Sequence, residues 1–534
     1  MKMRIEVPVY RCISNDDGDG LKLVEKPHHV SKVAGPVASL KGTPVDCLCW
    51  CLAEEVASYK SDVIETIYEM YEKRKNIPGF DGKETDLAYT LYKQGIDYLP
   101  ILIEHAHRQR IDFYASFRMN DTHHKSHPDG PLAPEFWKTH PEYRIWGETD
   151  AKSYYNAGMD FSFDEVRNRK FNSISEVARN YAVDGVELDF SRCPYLFQPE
   201  EAWEKRGILT KFIMRLRAEL DRIGKERGKP VPVMVRTVFS EKALRHAGID
   251  LHTWINEGLC DILVLTDLAN TFRADFEPWL SLCRKNGVPF YPAVESATHI
   301  DRRNFHDIFT NPDAPAHNYG VSGDFMLTLR AAVQNYLSGD VSGLYLFNMP
   351  PRPNFCSPPE YLKELYNFLH RDKLYHFWKG LPLYVEAMRP AKYHQTIEFP
   401  TYGEDIGGPD SRVTISFRQM AVPFPHASVK YHQSSVVPPG LLTYNLNSSD
   451  IQESAISRRR QPAGRIPSGF KLKSHELIEF HLPGTALRKG GNKLEFSMPK
   501  PPTERDPYVY IFELDVRVRF RDTRRGKRRN DCRR

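Results

Sequence analysis

Two carboxylates set two residues apart carry the first chemical signal in this chain. In Asp184-Gly-Val-Glu-Leu-Asp-Phe-Ser-Arg-Cys-Pro194, Glu187 and Asp189 alternate with Val186, Leu188 and Phe190. A period of two is that of a strand, and it puts both acids on one face. An unpaired buried charge is expensive, so an inward acidic face needs a use. Paired carboxylates across a groove suit glycosidic bond cleavage. One protonates the leaving oxygen, and the other attacks the anomeric carbon or activates water.

Strand parity brings further polar groups to the same place. On 111–120, Tyr114, Ser116, Arg118 and Asn120 share the inward face, with Asp121, His123 and His124 following at the rim. Arg192 lies just beyond Asp189, and Arg236 faces inward on 231–239. Asp267 ends the next strand, Glu295 the one after, and Asn348 the last. Arginines here can orient carboxylates or bind an anionic substrate group. The plain alternative is a set of inert interior ion pairs, such as Glu187 with Arg118 or Arg236. Asp121, His123 and His124 form a conceivable metal set, although adjacent loop histidines more often hydrogen-bond or meet solvent. His105 and His107 read as surface residues on a helix. No GxSxG, P-loop or GxGxxG occurs.

The elements that must position these groups alternate. Strand patterns at 45–51, 111–120, 185–190, 231–239, 261–267, 288–295 and 343–349 interleave with helical patterns at 86–110, 164–182, 200–227 and 325–337. Such alternation predicts an α/β fold, a TIM-type (β/α)8 barrel with its site at the C-terminal ends of the strands. The eighth strand is not apparent. A doubly wound sheet is the rival, but no glycine-rich turn follows the first strand. Long loops at 121–160 and 296–323 read as functional. After 381 helical periodicity stops, and Tyr508 to Phe520 alternates strictly, as a half-buried antiparallel strand does. The expected order is therefore an irregular segment (1–44), a catalytic barrel (45–380), a jelly-roll or galactose-binding-like β-sandwich (381–520) and a basic disordered tail (521–534). The acidic cluster at 15–20 lacks the ligand spacing of a calcium loop.

The bulk numbers fit. The chain has 534 residues, 41% apolar and 27% charged, enough for two or three globular domains. Net charge is +5, but 8 of the last 14 residues are Arg or Lys, so the body is near neutral and no nucleic-acid groove is expected. The nine cysteines fit no zinc pattern, and Cys47, Cys49 and Cys51 read as small core residues of a reduced protein. No run reaches the roughly 18 apolar residues of a membrane span. The first residues show no signal peptide, so a cytoplasmic location is expected, or a periplasmic or secreted one if a leader was cleaved.

Three runs resemble a known family: Phe117-Arg-Met-Asn-Asp-Thr-His123, Met159-Asp-Phe-Ser-Phe-Asp-Glu-Val-Arg167 and Val183-Asp-Gly-Val-Glu-Leu-Asp-Phe-Ser-Arg192. They are similar to the family-10-like glycosyl hydrolases, bacterial TIM barrels often followed by a β-sandwich. Gly343 to Met349 is similar to that group's "gly-ile-tyr-leu-phe-asn" strand, while Asp164 stands where the group often has Pro. The resemblance implies action on carbohydrate and names no substrate. The combined expectation is a glycoside hydrolase with Asp189, Glu295 and Glu187 as catalytic carboxylates and Asp267 as substitute partner. Arg118, Asn120, Asp121, His123, Arg192, Arg236, Asp267 and Asn348 would contact substrate, and no cofactor or metal is called for. Alternatives are a carbohydrate-binding protein without turnover, and a metal-dependent lyase or deacetylase.

Overall fold

The computed structural model describes 5–74, 86–145, 158–266 and 276–295, less positions 23, 54, 127 and 193–194. It also describes 300–301, 319–320, 333, 336–337, 339, 341–347, 374–379, 385–388, 394–401, 411–422, 435–465, 471–498 without 473 and 489, and 507–519. The expected helix at 325–337 and the loops at 121–160 and 296–323 fall in part outside these residues, and the tail at 521–534 wholly so.

Eight parallel strands close into a barrel. They are β1 (Cys12–Asp16), β2 (Cys47–Ala53), β3 (Asp112–Arg118), β4 (Gly185–Asp189), β5 (Val233–Val238), β6 (Ile262–Thr266), β7 (Phe290–Glu295) and β8 (Leu344–Phe347), and β1 pairs with both β2 and β8. The missing eighth strand is thus the first one, inside the segment expected to be irregular. Cys-Ile-Ser-Asn-Asp is too short and too polar to announce itself, and a turn cluster follows it directly. Inward residues fill the interior, among them Ile13, Cys49, Tyr114, Met234, Val264, Tyr291, Tyr345 and Phe347. Helices α1 (Leu99–Arg108), α2 (Asp164–Asn180), α3 (Ala202–Arg227) and α4 (Glu277–Asn286) lie between successive strands. On α2, Val166, Ile174 and Val177 form the buried stripe that an amphipathic helix needs.

The N-terminal end of the barrel is pinned by one device used four times. Asp46, just before β2, accepts the Cys12 amide of β1 at 3.1 Å. Asp184, just before β4, accepts the Phe113 amide of β3 at 2.7 Å, and Asp261, before β6, accepts the Val233 amide of β5 at 2.8 Å. Ser342, before β8, accepts the Phe290 amide of β7 at 3.0 Å. Each bond satisfies a donor at the start of one strand and fixes its register to the next. The three aspartates also take cations: Arg11 at 3.1 Å, Lys229, and Arg217 at 2.6 Å. His107, exposed as a surface residue, donates to Asp184 at 2.7 Å.

The second unit is antiparallel. Its larger sheet runs Leu374–Lys379, Tyr508–Arg519, Arg412–Val422, His475–Pro483, Ile456–Gln461, with Val385–Met388 also on Tyr508–Arg519. A smaller sheet runs His394–Thr401, Gly490–Ser497, Thr443–Leu446, Ser449–Asp450. Leu374–Lys379 pairs with Tyr508–Arg519, so the β unit begins before the expected boundary at 381. Leu-Tyr-His-Phe-Trp-Lys is almost continuously apolar and hides its alternation.

Candidate active site

The two β4 carboxylates point inward, as their parity requires, and they occupy different depths. The tight start of β4 needs a glycine: a Cβ on Gly185 would sit 2.3 Å from the Tyr114 ring. Glu187 is fully buried. Its Oε2 accepts from Asn15 Nδ2 at 3.1 Å and its Oε1 from the Tyr345 hydroxyl at 2.5 Å. Burial, then the neighbouring Asp189, push its carboxyl up to about 7, against Arg236 and the hydroxyls of Ser116 and Tyr345. Asp189, one pleat nearer the C-terminal end, is 2% exposed. Its Oδ2 accepts from Arg236 Nη1 at 2.9 Å, and its Oδ1 accepts from the Ser191 amide at 2.8 Å and hydroxyl at 2.5 Å. The Arg236 guanidinium, also fully buried, lies 3.8 Å from the Phe347 ring centroid.

This placement corrects two expectations. Glu187 belongs to the interior layer, where neighbours on β1, β3 and β8 occupy it, and it does not reach the mouth. Asp189 stands higher but is enclosed by Ser191 and Arg236, not open to solvent.

Around the rim, β3 supplies a second network. Arg118 bridges Asp17 and Asp121, at 2.9 Å each. Against the cost of burial, Arg118 and His123 hold the Asp121 carboxyl well below the usual carboxylate range. Glu55 accepts the Asp121 amide at 3.1 Å and pairs with Lys170 at 3.1 Å. Lys170 also donates to the Arg118 carbonyl at 2.9 Å. Arg118 and Asp121 are therefore held by neighbours on several elements. Asn120 is likewise held. Its amide nitrogen donates to the carbonyls of Met159 and Tyr195, and its oxygen accepts the Met159 amide.

His123 and Arg192 remain only partly buried. His123 Nδ1 lies 2.7 Å from Asp121 Oδ1, and its Nε2 lies 3.1 Å from Arg192 Nη2. His123 Nδ1 also has Arg118 Nη1 at 3.3 Å, so the ring is wedged between two guanidinium groups and the Asp121 carboxylate. His124 turns edge-on to Trp137 at 4.6 Å, so Asp121, His123 and His124 do not converge as a ligand set. Among the described residues no cluster of three His, Cys, Asp or Glu side chains has metal-binding geometry.

Glu295 ends β7 in register with Phe347 on β8, which places its backbone on the rim. Its side chain, Asp267 and Asn348 lie outside the described residues. Sequence reading missed Asn15, Asp17, Glu55, Lys170 and Tyr345. The only signal for the first two was the acidic cluster at 15–20, where Asp16 also accepts the Asp19 amide at 2.9 Å.

No family model matches the chain, and no curated protein matches it. Among solved structures it is similar to an alpha-L-fucosidase isoenzyme 2 from Paenibacillus thiaminolyticus, at 13% identity and a TM-score of 0.42, over 69% of this chain and 51% of that one. It is also similar to a family 18 N-acetylglucosaminidase from Paenibacillus barengoltzii, at 13% identity and a TM-score of 0.37, over 67% of this chain and 100% of that one. A noncanonic maltogenic alpha-amylase from Thermotoga neapolitana follows at 10% identity and a TM-score of 0.36, over 94% and 98%. The chain spans about half the length of the fucosidase. These structures are glycoside hydrolases. The barrel itself rests on the strand pairing described above.

Proposed function

We propose that the barrel unit is a glycoside hydrolase, related to the family-10-like group, acting at the C-terminal ends of its strands. The observation that supports it best is the convergence of β3, β4, β5 and β8 side chains on one end, with Asp189 held by Arg236 at 2.9 Å. Asp189 and Glu295, on the rims of β4 and β7, are the pair proposed to carry the chemistry. One donates a proton to the leaving oxygen; the other meets the oxocarbenium-like centre or its water. Ser191 and Arg236 fix the Asp189 carboxylate, and Glu187 underlies it as a proton-holding support. Replacing Glu295 by Gln, or Asp189 by Asn, is expected to cut turnover of a cleaved oligosaccharide by roughly 10²–10⁴-fold. Unchanged kcat would remove that residue from the mechanism.

A second reading has an observation of its own. Both β4 carboxylates are sealed and fully hydrogen-bonded, as they would be in a carbohydrate-binding protein without turnover. Calorimetry against an oligosaccharide panel, beside product chromatography, separates the two: binding with no product favours the second.

A further inference from the structure

Among the described residues at the C-terminal end of the barrel, one arginine has no carboxylate beside it. Arg118 has Asp17 and Asp121, Arg236 has Asp189, and Lys170 has Glu55. Arg192 is within ion-pair distance of no carboxylate among the described residues. Its Nη2 lies 3.1 Å from His123 Nε2, and its guanidinium lies 5.2 Å from the Phe347 ring centroid. Its Nε is out of solvent and, like that of Arg217, has no hydrogen-bond partner among the described residues. An arginine on a surface would turn such a donor to water. Here a ring and an imidazole hold the fork in place with donors unused, and an unmet buried donor is costly.

The surroundings favour an anion over a neutral hydroxyl. A planar guanidinium with free donors matches a carboxylate or sulfate oxygen pair. Arg236, on the same Phe347 ring at 3.8 Å, is already paired with Asp189, so Arg192 is the guanidinium on that ring with no carboxylate partner among the described residues. His123 is the positioning residue. Its Nδ1 is held 2.7 Å from Asp121 and its Nε2 faces Arg192, which fixes the guanidinium's position.

We infer that Arg192 receives an anionic substituent of the carbohydrate, either the carboxylate of a uronic acid or a sulfate ester. This deepens the carbohydrate reading and rests on it. The test is calorimetry with the whole protein and matched glycan pairs: oligogalacturonate against its methyl ester, and a sulfated oligosaccharide against its desulfated form. At least one acidic form is expected to bind about tenfold or more tighter than its neutral twin. The preference should weaken as salt rises. Which pair shows it distinguishes carboxylate from sulfate. Arg192→Gln should abolish the preference and Arg192→Lys should keep part of it. The wild-type comparison of acid with ester needs no variant, so it holds even if Arg192→Gln folds poorly. Neutral and acidic forms binding alike, no acidic glycan binding at all, or a preference that survives Arg192→Gln would each overturn the inference. Cleavage of a neutral glycan without charge preference would sink the anion site and leave the hydrolase. Acid-selective binding without product would do the reverse.

Discussion

The two ends of the barrel are both charged, and they use charge differently. At the N-terminal end, Asp46, Asp184 and Asp261 accept strand-start amides and pair with cations close by. Their work is register. At the C-terminal end, Arg118 and Asp121 are likewise held by neighbours, but Glu187 is held part-protonated and Arg192 keeps a donor unused. Arg217 at the first end also has an unmet Nε, but it sits on Asp261 and Asp221, whereas Arg192 is near no carboxylate among the described residues.

Substitutions at the two ends should therefore separate stability from function. The largest effect is expected at the C-terminal rim, where Glu295→Gln lowers turnover by roughly 10²–10⁴-fold with the melting temperature nearly unchanged. An equal fall in stability would erase the contrast. Asp261→Ala at the opposite end should cost about 3–5 kcal/mol in urea unfolding, because it strips the buried Arg217 and the Val233 amide of a partner. A loss under about 1 kcal/mol would show that the pinning is ornamental.

The ends should also respond to pH in opposite senses. Glu187 has a folded-state pKa raised from 4.5 to about 7. Folding then binds a proton between those values, so its contribution is full below pH 4.5 and is lost as pH rises through 7. The span corresponds to about 3 kcal/mol. Unfolding midpoints of Glu187→Gln against wild type between pH 5 and 8 should show wild type losing ground as pH rises. Asp184 is the reverse. Despite burial, Lys229, the Phe113 amide and His107 lower its pKa below 3.8. Its contribution is present above that value and lost as pH falls, and Asp184→Asn should flatten the acid limb of the stability curve. The smallest change expected is in the stability of Arg192→Gln, within about 0.5 kcal/mol of wild type.

How much of this the sequence shows depends on how local the signal is. The face shared by Glu187 and Asp189, and that shared by Tyr114, Ser116 and Arg118, follow from alternation alone. Which inward group meets a ligand does not. Asn120 and Arg192 look equally available in sequence, yet Asn120 is consumed by Met159 and Tyr195, residues remote along the chain. The pairing of Asn15 with Glu187 and of Asp17 with Arg118 spans more than a hundred positions each, so no window of sequence contains it. The start of the β unit at 374 is obscured because an apolar run serves helix and strand alike.

β1 is made first and lies between β2 and β8. A growing chain must therefore hold Cys12–Asp16 beside β2 with its other edge bare until Leu344–Phe347 has left the ribosome. Clipping the first twenty residues would open the cylinder at that seam, and it would also take Asn15 from Glu187 and Asp17 from Arg118.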